Sequence, residues 1–216
     1  MLQFPLVTLK QALKQLRDVL LEPHLEEQEA IDQLVRYCSR ARRQGMLGLD
    51  RDLPEIEDDF LRKALTLGVD GFPAQDLRRV MERDLGCREE QEENIARVFE
   101  AAGGFSPTLG IMGAVLGLIQ VMQRMDNIGE IGKGIAVAFV STLYGIGFAN
   151  LLFLPFAGKL RIRFRARQVV REMALNAVVS IVEGISPTTL RYELEFAAAT
   201  SPRDAPSVPS QELLTQ

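Results

Sequence analysis

Two long stretches without a charged side chain constrain this chain of 216 residues more than any other feature. Residues 101–123 and 134–158 contain no Asp, Glu, Lys, Arg or His, and they are 23 and 25 residues long. At about 1.5 Å per residue, a helix of either length spans the ~30 Å hydrocarbon core of a bilayer. The alternative is a pair of buried helices in a soluble core, but such helices seldom exceed about 20 residues and usually keep a polar face. We therefore predict two membrane spans.

The rest of the chain also predicts helices, because no strand-like alternation of useful length occurs in it. Apolar side chains recur at helical spacing in residues 8–21 and from about residue 24 to residue 43. Two further helices are expected in residues 54–68 and 73–86, since proline favours the first turn of a helix and glycine its end. The helical pattern resumes at Glu89 and runs into the first span. We therefore expect an all-α integral membrane protein.

Charge and composition set the expected organisation of the chain. The sequence predicts a helical domain in residues 1–100, a first span in 101–123, a loop in 124–133, a second span in 134–158, helices in 159–198 and a disordered, Pro/Ser/Ala-rich tail in 199–216. Six Lys and Arg side chains closely follow the second span, whereas the charges of the loop cancel. Because basic flanks stay in the cytoplasm, we expect the N- and C-terminal parts there and the loop in the periplasm.

Several functional classes are excluded by what the sequence lacks. Lys and Arg number 25 against 29 Asp and Glu, and this net charge of −4 gives no reason to expect nucleic acid as a partner. Cys38 and Cys87 lie far apart and are interpreted as reduced packing residues. No metal-ligand spacing, phosphate-binding loop or nucleophile–base set occurs, so we expect neither an enzyme nor a cofactor or metal site.

Small residues in both spans predict close helix packing. Gly110, Gly113 and Gly117 form a small face on the first span, and Gly145 belongs to a similar set on the second. In lipid, helices associate where small residues let their backbones approach. These positions can serve packing within the hairpin alone, but their number favours additional partner helices.

The spans lack the ionisable residue that an ion path normally carries. Their polar groups include Ser141 and Thr142, which do not titrate near neutral pH, so any carboxylate on such a path must come from another subunit. Pro107 and Pro155 each free a backbone carbonyl and permit a kink. From the sequence alone, both prolines could equally mark helix ends.

The residues of the two spans resemble a known family. "AAGGFSPTLGIMGAVLGLIQVM" and "GKGIAVAFVSTLYGIGFANLLFLPFAGKL" are similar to the third and fourth transmembrane helices of flagellar stator A-subunits, the MotA type within the MotA/TolQ/ExbB family. "ARRQGMLGLDRDLPEIEDDFLRKALTLGVDG" resembles their rotor-facing domain, and the resemblance covers roughly residues 5–197. Such subunits normally begin with two more membrane helices. The start, "MLQFPL", resembles the end of the second of these, and we expect both to be missing from this sequence.

The resemblance implies a mechanism of torque generation in motility and chemotaxis. Stator A-subunits form a ring, pentameric in the family, in the inner membrane around two B-subunits of MotB type. An aspartate of the B-subunit carries the ion, and ion passage turns the ring, which drives the rotor protein FliG through charged contacts. By position, Arg42 or Arg43 and Asp50 match the rotor-facing charges of the family.

The resemblance also implies which residues line the ion path and which ion they serve. Pro107 and Pro155 match the two family prolines near the path, and Thr142 matches a path-lining hydroxyl. In sodium-driven relatives a threonine stands at the position of Ala114. Sodium needs several oxygen ligands, and here the site keeps Thr142, with Ser141 beside it, but loses one oxygen at Ala114. We therefore predict proton coupling.

Two other interpretations remain open at this point. An energiser of outer-membrane processes, of the TolQ/ExbB type, predicts the same pair of spans but not the "RRQGMLGLD" segment. A non-conducting membrane scaffold predicts no polar groups directed at a partner helix.

Overall fold

All regular structure that the computed structural model describes is helical; it describes residues 8, 10–12, 27–123 and 128–200. The α-helices in this part of the chain are α1 (Glu27–Gln44), α2 (Asp59–Val69), α3 (Ala74–Met122), α4 (Ile128–Phe148), α5 (Leu154–Val182) and α6 (Pro187–Thr200). Two 3₁₀ turns, Met46–Leu49 and Leu53–Glu55, lie between α1 and α2, and a π-helical turn, Ala149–Phe153, joins α4 to α5. The predicted all-α fold is confirmed.

Some predictions fall outside the described residues. Of the helix expected in residues 8–21, residues 8 and 10–12 are described, and they are helical. Residues 124–127 of the predicted loop and residues 201–216 of the predicted tail lie outside. Helix α4 already begins at Ile128 and α6 continues to Thr200, so the loop is shorter and the last helix longer than expected.

The chain divides into two compact units. One unit, here called the hairpin unit, comprises the described residues 8, 10–12, 86–123 and 128–167 and contains both predicted spans. The other, here called the helical domain, comprises the described residues 27–85 and 168–200. The predicted boundaries at residues 100 and 159 lie where charged side chains end and where they resume along the chain. Both boundaries stay predictions.

The helical domain has an aliphatic core to which α1, α2, α6 and parts of α3 and α5 contribute. Its fully buried side chains include Phe60, Leu65, Leu77, Met81 and Val178. At about 25 cal/mol per Å² of buried apolar surface, a core of this size is the main source of the domain's stability.

Helix α2 of the helical domain begins later than the sequence predicts. Pro54 lies in a 3₁₀ turn, and the helix proper starts at Asp59. The side chain of Asp58 accepts a hydrogen bond from the backbone N–H of Leu61 at 2.8 Å. This N-cap satisfies a free donor of the first turn, so it fixes the helix start more strongly than the proline does.

Helix α3 runs through the glycine at which a helix end was predicted. It spans 49 residues without a break at Gly86, which makes it roughly 73 Å long at about 1.5 Å per residue. A glycine inside a helix costs about 1 kcal/mol relative to alanine. Buried Met81 before Gly86 and buried Ile95 and Ala96 after it hold the helix on both sides. The predicted end at Gly86 is therefore wrong, because packing outweighs the local preference.

The two apolar stretches are exposed in the structure rather than packed into a core. The helices that contain them are long and apolar enough to cross a membrane, and only 6% and 17% of their most apolar windows are buried. Large side chains such as Leu109, Leu116, Phe139 and Leu151 are more than half exposed. Exposed apolar surface of this extent marks a membrane or protein interface. The alternative of two buried helices in a soluble core is wrong.

Candidate functional site

Glycines bring the backbones of α3 and α4 into direct contact. A Cβ atom added at Gly145 would lie 2.7 Å from the carbonyl oxygen of Ser106 and 2.8 Å from Cα of Gly110. One added at Gly110 would lie 3.0 Å from Cα of Gly145 and from the carbonyl oxygen of Ser141. Real Cβ contacts essentially never reach the distances found at Gly145, and the 3.0 Å contacts with backbone atoms at Gly110 are rare. The close approach therefore favours glycine at both positions.

The same contact surface continues along both helices. A Cβ at Gly113 would clash with the hydroxyl of Ser141, and one at Gly117 would lie 3.3 Å from Cβ of Ala138. The structure thus brings all four predicted packing glycines into one surface between α3 and α4, here called the glycine seam. Other glycines of the hairpin unit, among them Gly104 and Gly147, have nothing within 4 Å of such a Cβ. These small positions remain available to other helices.

The two hydroxyls of the predicted ion path lie differently relative to the seam. Ser141 donates a hydrogen bond from Oγ to the carbonyl oxygen of Gly110 at 3.3 Å, which joins the two helices. Thr142 donates from Oγ1 to the carbonyl oxygen of Ala138 in its own helix at 3.4 Å. Ala114 and Thr142 are both half-buried beside the seam. Thr142 therefore lies outside the interhelical hydrogen bond, whereas Ser141 is engaged in it.

Neither proline of the predicted path marks a helix end. Pro107 lies well inside α3, and Pro155 is the second residue of α5, directly after the π-helical turn. Helices in membranes tolerate such prolines because neighbouring groups and local 3₁₀ or π adjustments satisfy the freed backbone. The interpretation of these residues as helix-end punctuation is wrong, and each proline interrupts the hydrogen bonds of a continuous helical run.

A close contact between α3 and the π-helical turn was not predicted. A Cβ at Gly103 would lie 3.0 Å from Cδ2 of Leu154 and 3.4 Å from Cβ of Phe153. The paired glycines of the "AAGG" sequence are the only signal that could have suggested it. A π-helical turn has no comparable sequence signature, since its residues, "ANLLF", are ordinary helix formers.

An ion cluster joins α3 and α5 next to the spans. Arg161 donates hydrogen bonds to both oxygens of Glu93, at 2.9 and 3.3 Å, and to both oxygens of Glu100, one of them at 2.8 Å. Glu93 and Glu100 are seven residues apart and so share one face of α3. The sequence identifies Arg161 only as one of the six basic residues that follow the second span. Its role as a fork between two carboxylates could not be predicted without knowing the helix pairing.

This cluster shifts the titration of its members. Hydrogen bonds from Arg161 hold the pKa of the Glu93 carboxyl below its usual range, and Glu93 and Glu100 raise the pKa of Arg161. The pKa of Glu93 is lower in the folded state, so the pair stabilises the fold above the ordinary carboxylate pKa of about 4.3. That contribution is lost as the pH falls through the lower, folded-state pKa.

We expect an Arg161→Ala variant to unfold at a slightly lower temperature than wild type at pH 7, because solvent screens this partly exposed cluster. The difference should shrink steadily below pH 4, where protonated carboxyls no longer attract Arg161. Thermal unfolding of the detergent-purified protein at a series of pH values measures both effects. Arg165→Ala is the matched control, because Arg165 is an exposed arginine of the same helix. A pH-independent loss of stability in Arg161→Ala would show that packing, not charge, explains the contact.

The predicted rotor-facing charges are all exposed and lie at one end of the helical domain. Arg42 and Arg43 occupy the last turn of α1, and Asp50 directly follows the 3₁₀ turn Met46–Leu49. The chain reverses at Gly45, whose φ of 77° is a left-handed conformation that favours glycine.

The segment that carries these charges is well anchored. Leu49 is completely buried, and an ion pair joins Arg40 to Asp52 just beyond it. Cε of Met46 lies only 2.7 Å from the place where a Cβ of Gly68 would be, so Met46 packs directly on the backbone of α2. The exposed charges therefore sit on a segment with a fixed conformation.

Together, the exposed apolar hairpin, its glycine seam and its attached helical domain define an α-helical integral membrane protein. The chain belongs to the MotA/TolQ/ExbB proton channel family, whose sequence model matches residues 52–197. Members of this family are embedded in the inner membrane, and the family is one of channels rather than enzymes. Within the described residues, no group of three or more His, Cys, Asp or Glu side chains could hold a metal ion.

Several relatives within the family are motility proteins, and two similar solved structures are MotAB complexes. Motility protein A of Bacillus subtilis is 36% identical over 167 residues, which cover 77% of this chain and 62% of that protein. The chain thus spans less than two thirds of that relative. The structure of C. jejuni MotAB superposes with a TM-score of 0.84 at 31% identity, covering 95% of this chain and 81% of that one. The flagellar MotAB stator complex from Bacillus subtilis gives a TM-score of 0.80 at 34% identity, covering 90% and 76%.

Proposed function

We propose that this protein is an A-type stator subunit of the bacterial flagellar motor. In this role it forms a ring, pentameric as in the family, around B-subunits of MotB type and couples proton flow across the inner membrane to torque on the rotor protein FliG. The observation that carries the proposal is the absence of any Asp, Glu, Lys, Arg or His side chain in either span. A proton path through these helices needs a carboxylate from another chain. Similarity to two MotAB structures supports a B-subunit as its source.

The ion path in this proposal lies beside the glycine seam. Thr142 offers a hydroxyl outside the interhelical hydrogen bond, and Pro107 and Pro155 free backbone carbonyls on the two helices. Because Ala114 has no side-chain oxygen, the path lacks one of the oxygen ligands that a sodium site requires. A proton needs only a titrating carboxylate and a short relay of waters or hydroxyls, so these residues favour proton coupling.

The orientation proposed for the chain follows its charges. Basic residues follow the second span, so the helical domain lies in the cytoplasm and the short connection between α3 and α4 in the periplasm. This orientation directs Arg42, Arg43 and Asp50 towards cytoplasmic partners. The exposed charges on this anchored segment also favour a stator. A TolQ/ExbB-type energiser or a non-conducting scaffold has no rotor for these charges to contact.

Deletion of the gene in its native organism tests the function. We expect the deletion cells to assemble flagella but not to swim. Returning the chromosomal gene to its locus should restore swimming. Deletion that leaves swimming intact while making the outer membrane leaky would favour the TolQ/ExbB-type alternative instead.

Swimming speed tests the coupling ion. Cells that rely on this stator should keep their speed in sodium-free potassium buffer and stop within minutes of adding a protonophore. If the speed collapsed without sodium yet survived the protonophore, proton coupling would be disproved while the stator assignment stood.

A further inference from the structure

The second span contains an asparagine that the seam and the predicted path do not use. Asn150 lies in the π-helical turn Ala149–Phe153, and its side chain is exposed although the neighbouring Ala149 is buried. Single π-helical turns within α-helices occur frequently at functional sites. Both the position and the exposure of this amide therefore need an explanation.

The backbone carbonyl of Asn150 has lost its helical donors. The N–H of Leu154 donates to the carbonyl oxygen of Ala149, in the i to i+5 pattern of a π-helix. In that pattern Asn150 would receive the N–H of residue 155, but Pro155 has none. In the α-helical pattern it would receive the N–H of Leu154, which is already used. The π-helical turn and Pro155 together remove both regular helical donors of this carbonyl oxygen.

The side chain of Asn150 adds a second acceptor oxygen. Its Nδ2 donates to the carbonyl oxygen of Ile146 at 3.0 Å, whereas its Oδ1 has no partner among the described residues. Asn150, an exposed residue of the second span, thus offers two acceptor oxygens in one place. Lipid chains offer no donors, so unpaired backbone and amide groups in a membrane face protein or a water-filled cavity.

We infer that Asn150 is a water-holding site on the ion path, and this inference rests on the proposed function. Thr142, Ile146 and Asn150 are spaced at four residues, so Asn150 continues the side of the helix on which Thr142 lies. Water fits this site because its O–H groups are donors only, as two acceptors require. Carbonyls freed by broken helices hold ions and water in other membrane proteins.

A water molecule at this site would accept the proton that the carboxyl group of the partner subunit releases. The protonated carboxyl of the partner subunit passes its proton to a water held by the two oxygens of Asn150, and the carboxylate is regenerated. The resulting hydronium donates to the same oxygens and then passes the proton to bulk water on the cytoplasmic side. No other reactant is needed, and charge is conserved at each step.

Proton uptake into proteoliposomes tests this inference. The complex with its B-subunit is purified, reconstituted and exposed to a pH gradient, and uptake is followed with a pH-sensitive dye and normalised to assembled complex. Asn150→Leu keeps the side-chain size but removes the amide, and uptake should fall at least tenfold. Asn150→Asp keeps Oδ1, so it should conduct, and its second carboxyl group should change the pH dependence of uptake from that of wild type. Leu151→Val, at the exposed neighbouring position, should conduct like wild type.

The outcomes separate this inference from the proposed function. If wild-type complex takes up no protons, the proposed function fails. If wild type conducts and Asn150→Leu conducts equally, Asn150 is not on the path and the inference is overturned. Should Asn150→Leu not assemble, Asn150→Ala decides: reduced uptake per complex supports the water site, and unchanged uptake overturns it.

Discussion

A Gly145→Val variant is expected to lose the assembled complex and all swimming, although valine is as apolar as the membrane around it. The Cβ of any residue at this position would lie 2.7 Å from a backbone oxygen of α3, and a backbone atom cannot swing aside as a side chain can. The helices must separate by an ångström or more, which removes the Ser141 to Gly110 hydrogen bond and the packing of the seam. Blue-native electrophoresis of detergent extracts measures the assembled complex, and swim-plate diameter measures function.

Gly147→Val provides the matched control for this variant. It makes the same substitution two residues away on the same helix, where a new Cβ meets nothing within 4 Å. We expect the hairpin to form normally in this variant. Equal damage from both substitutions would mean that the seam contact does not explain the effect.

Reversal of the exposed charges at the end of α1 is expected to abolish swimming while leaving the complex in the membrane. In the triple variant Arg42→Glu, Arg43→Glu and Asp50→Arg, each new side chain remains in solvent, so the fold should lose little stability. A rotor surface that complements the original charges would instead meet three like charges. Swimming speed and immunoblots of isolated membranes measure the two effects.

Single reversals and a distant control make this test specific. Each single reversal should slow swimming rather than stop it, since solvent and salt screen exposed pairs. Asp70→Arg reverses an exposed charge at the far end of α2 and should swim normally. If the triple variant swims at wild-type speed, these residues do not contact the rotor, whatever else the protein does.

The sequence predicts best where one physical demand dominates. The spans follow from the absence of charge over more than 20 residues, which only a bilayer or a large core tolerates. Gly110, Gly113 and Gly117 suggest a packing face because they recur at helical spacing in lipid. Gly86 misled because a local preference of about 1 kcal/mol was weighed without the packing on either side of it.

Features that depend on the pairing of helices could not be predicted. The partners of Arg161, Glu93 and Glu100, are more than 60 positions away in the chain, and nothing local distinguishes this arginine from its basic neighbours. The π-helical turn at Ala149–Phe153 arises where Gly103 lets α3 approach α5. Its consequence, a carbonyl at Asn150 without its regular helical donors, appears only when the donor of each backbone oxygen is identified.

The anchoring of the Met46–Leu49 turn has a mechanical consequence for a motor. A contact that transmits force does less work on its partner when the segment that supports it deforms. Leu49 in the core, Met46 against the backbone at Gly68, and the Arg40–Asp52 pair leave this turn little room to deflect. Elastic loss in each push on the rotor would therefore arise mainly in the long side chains of the arginines rather than in this turn.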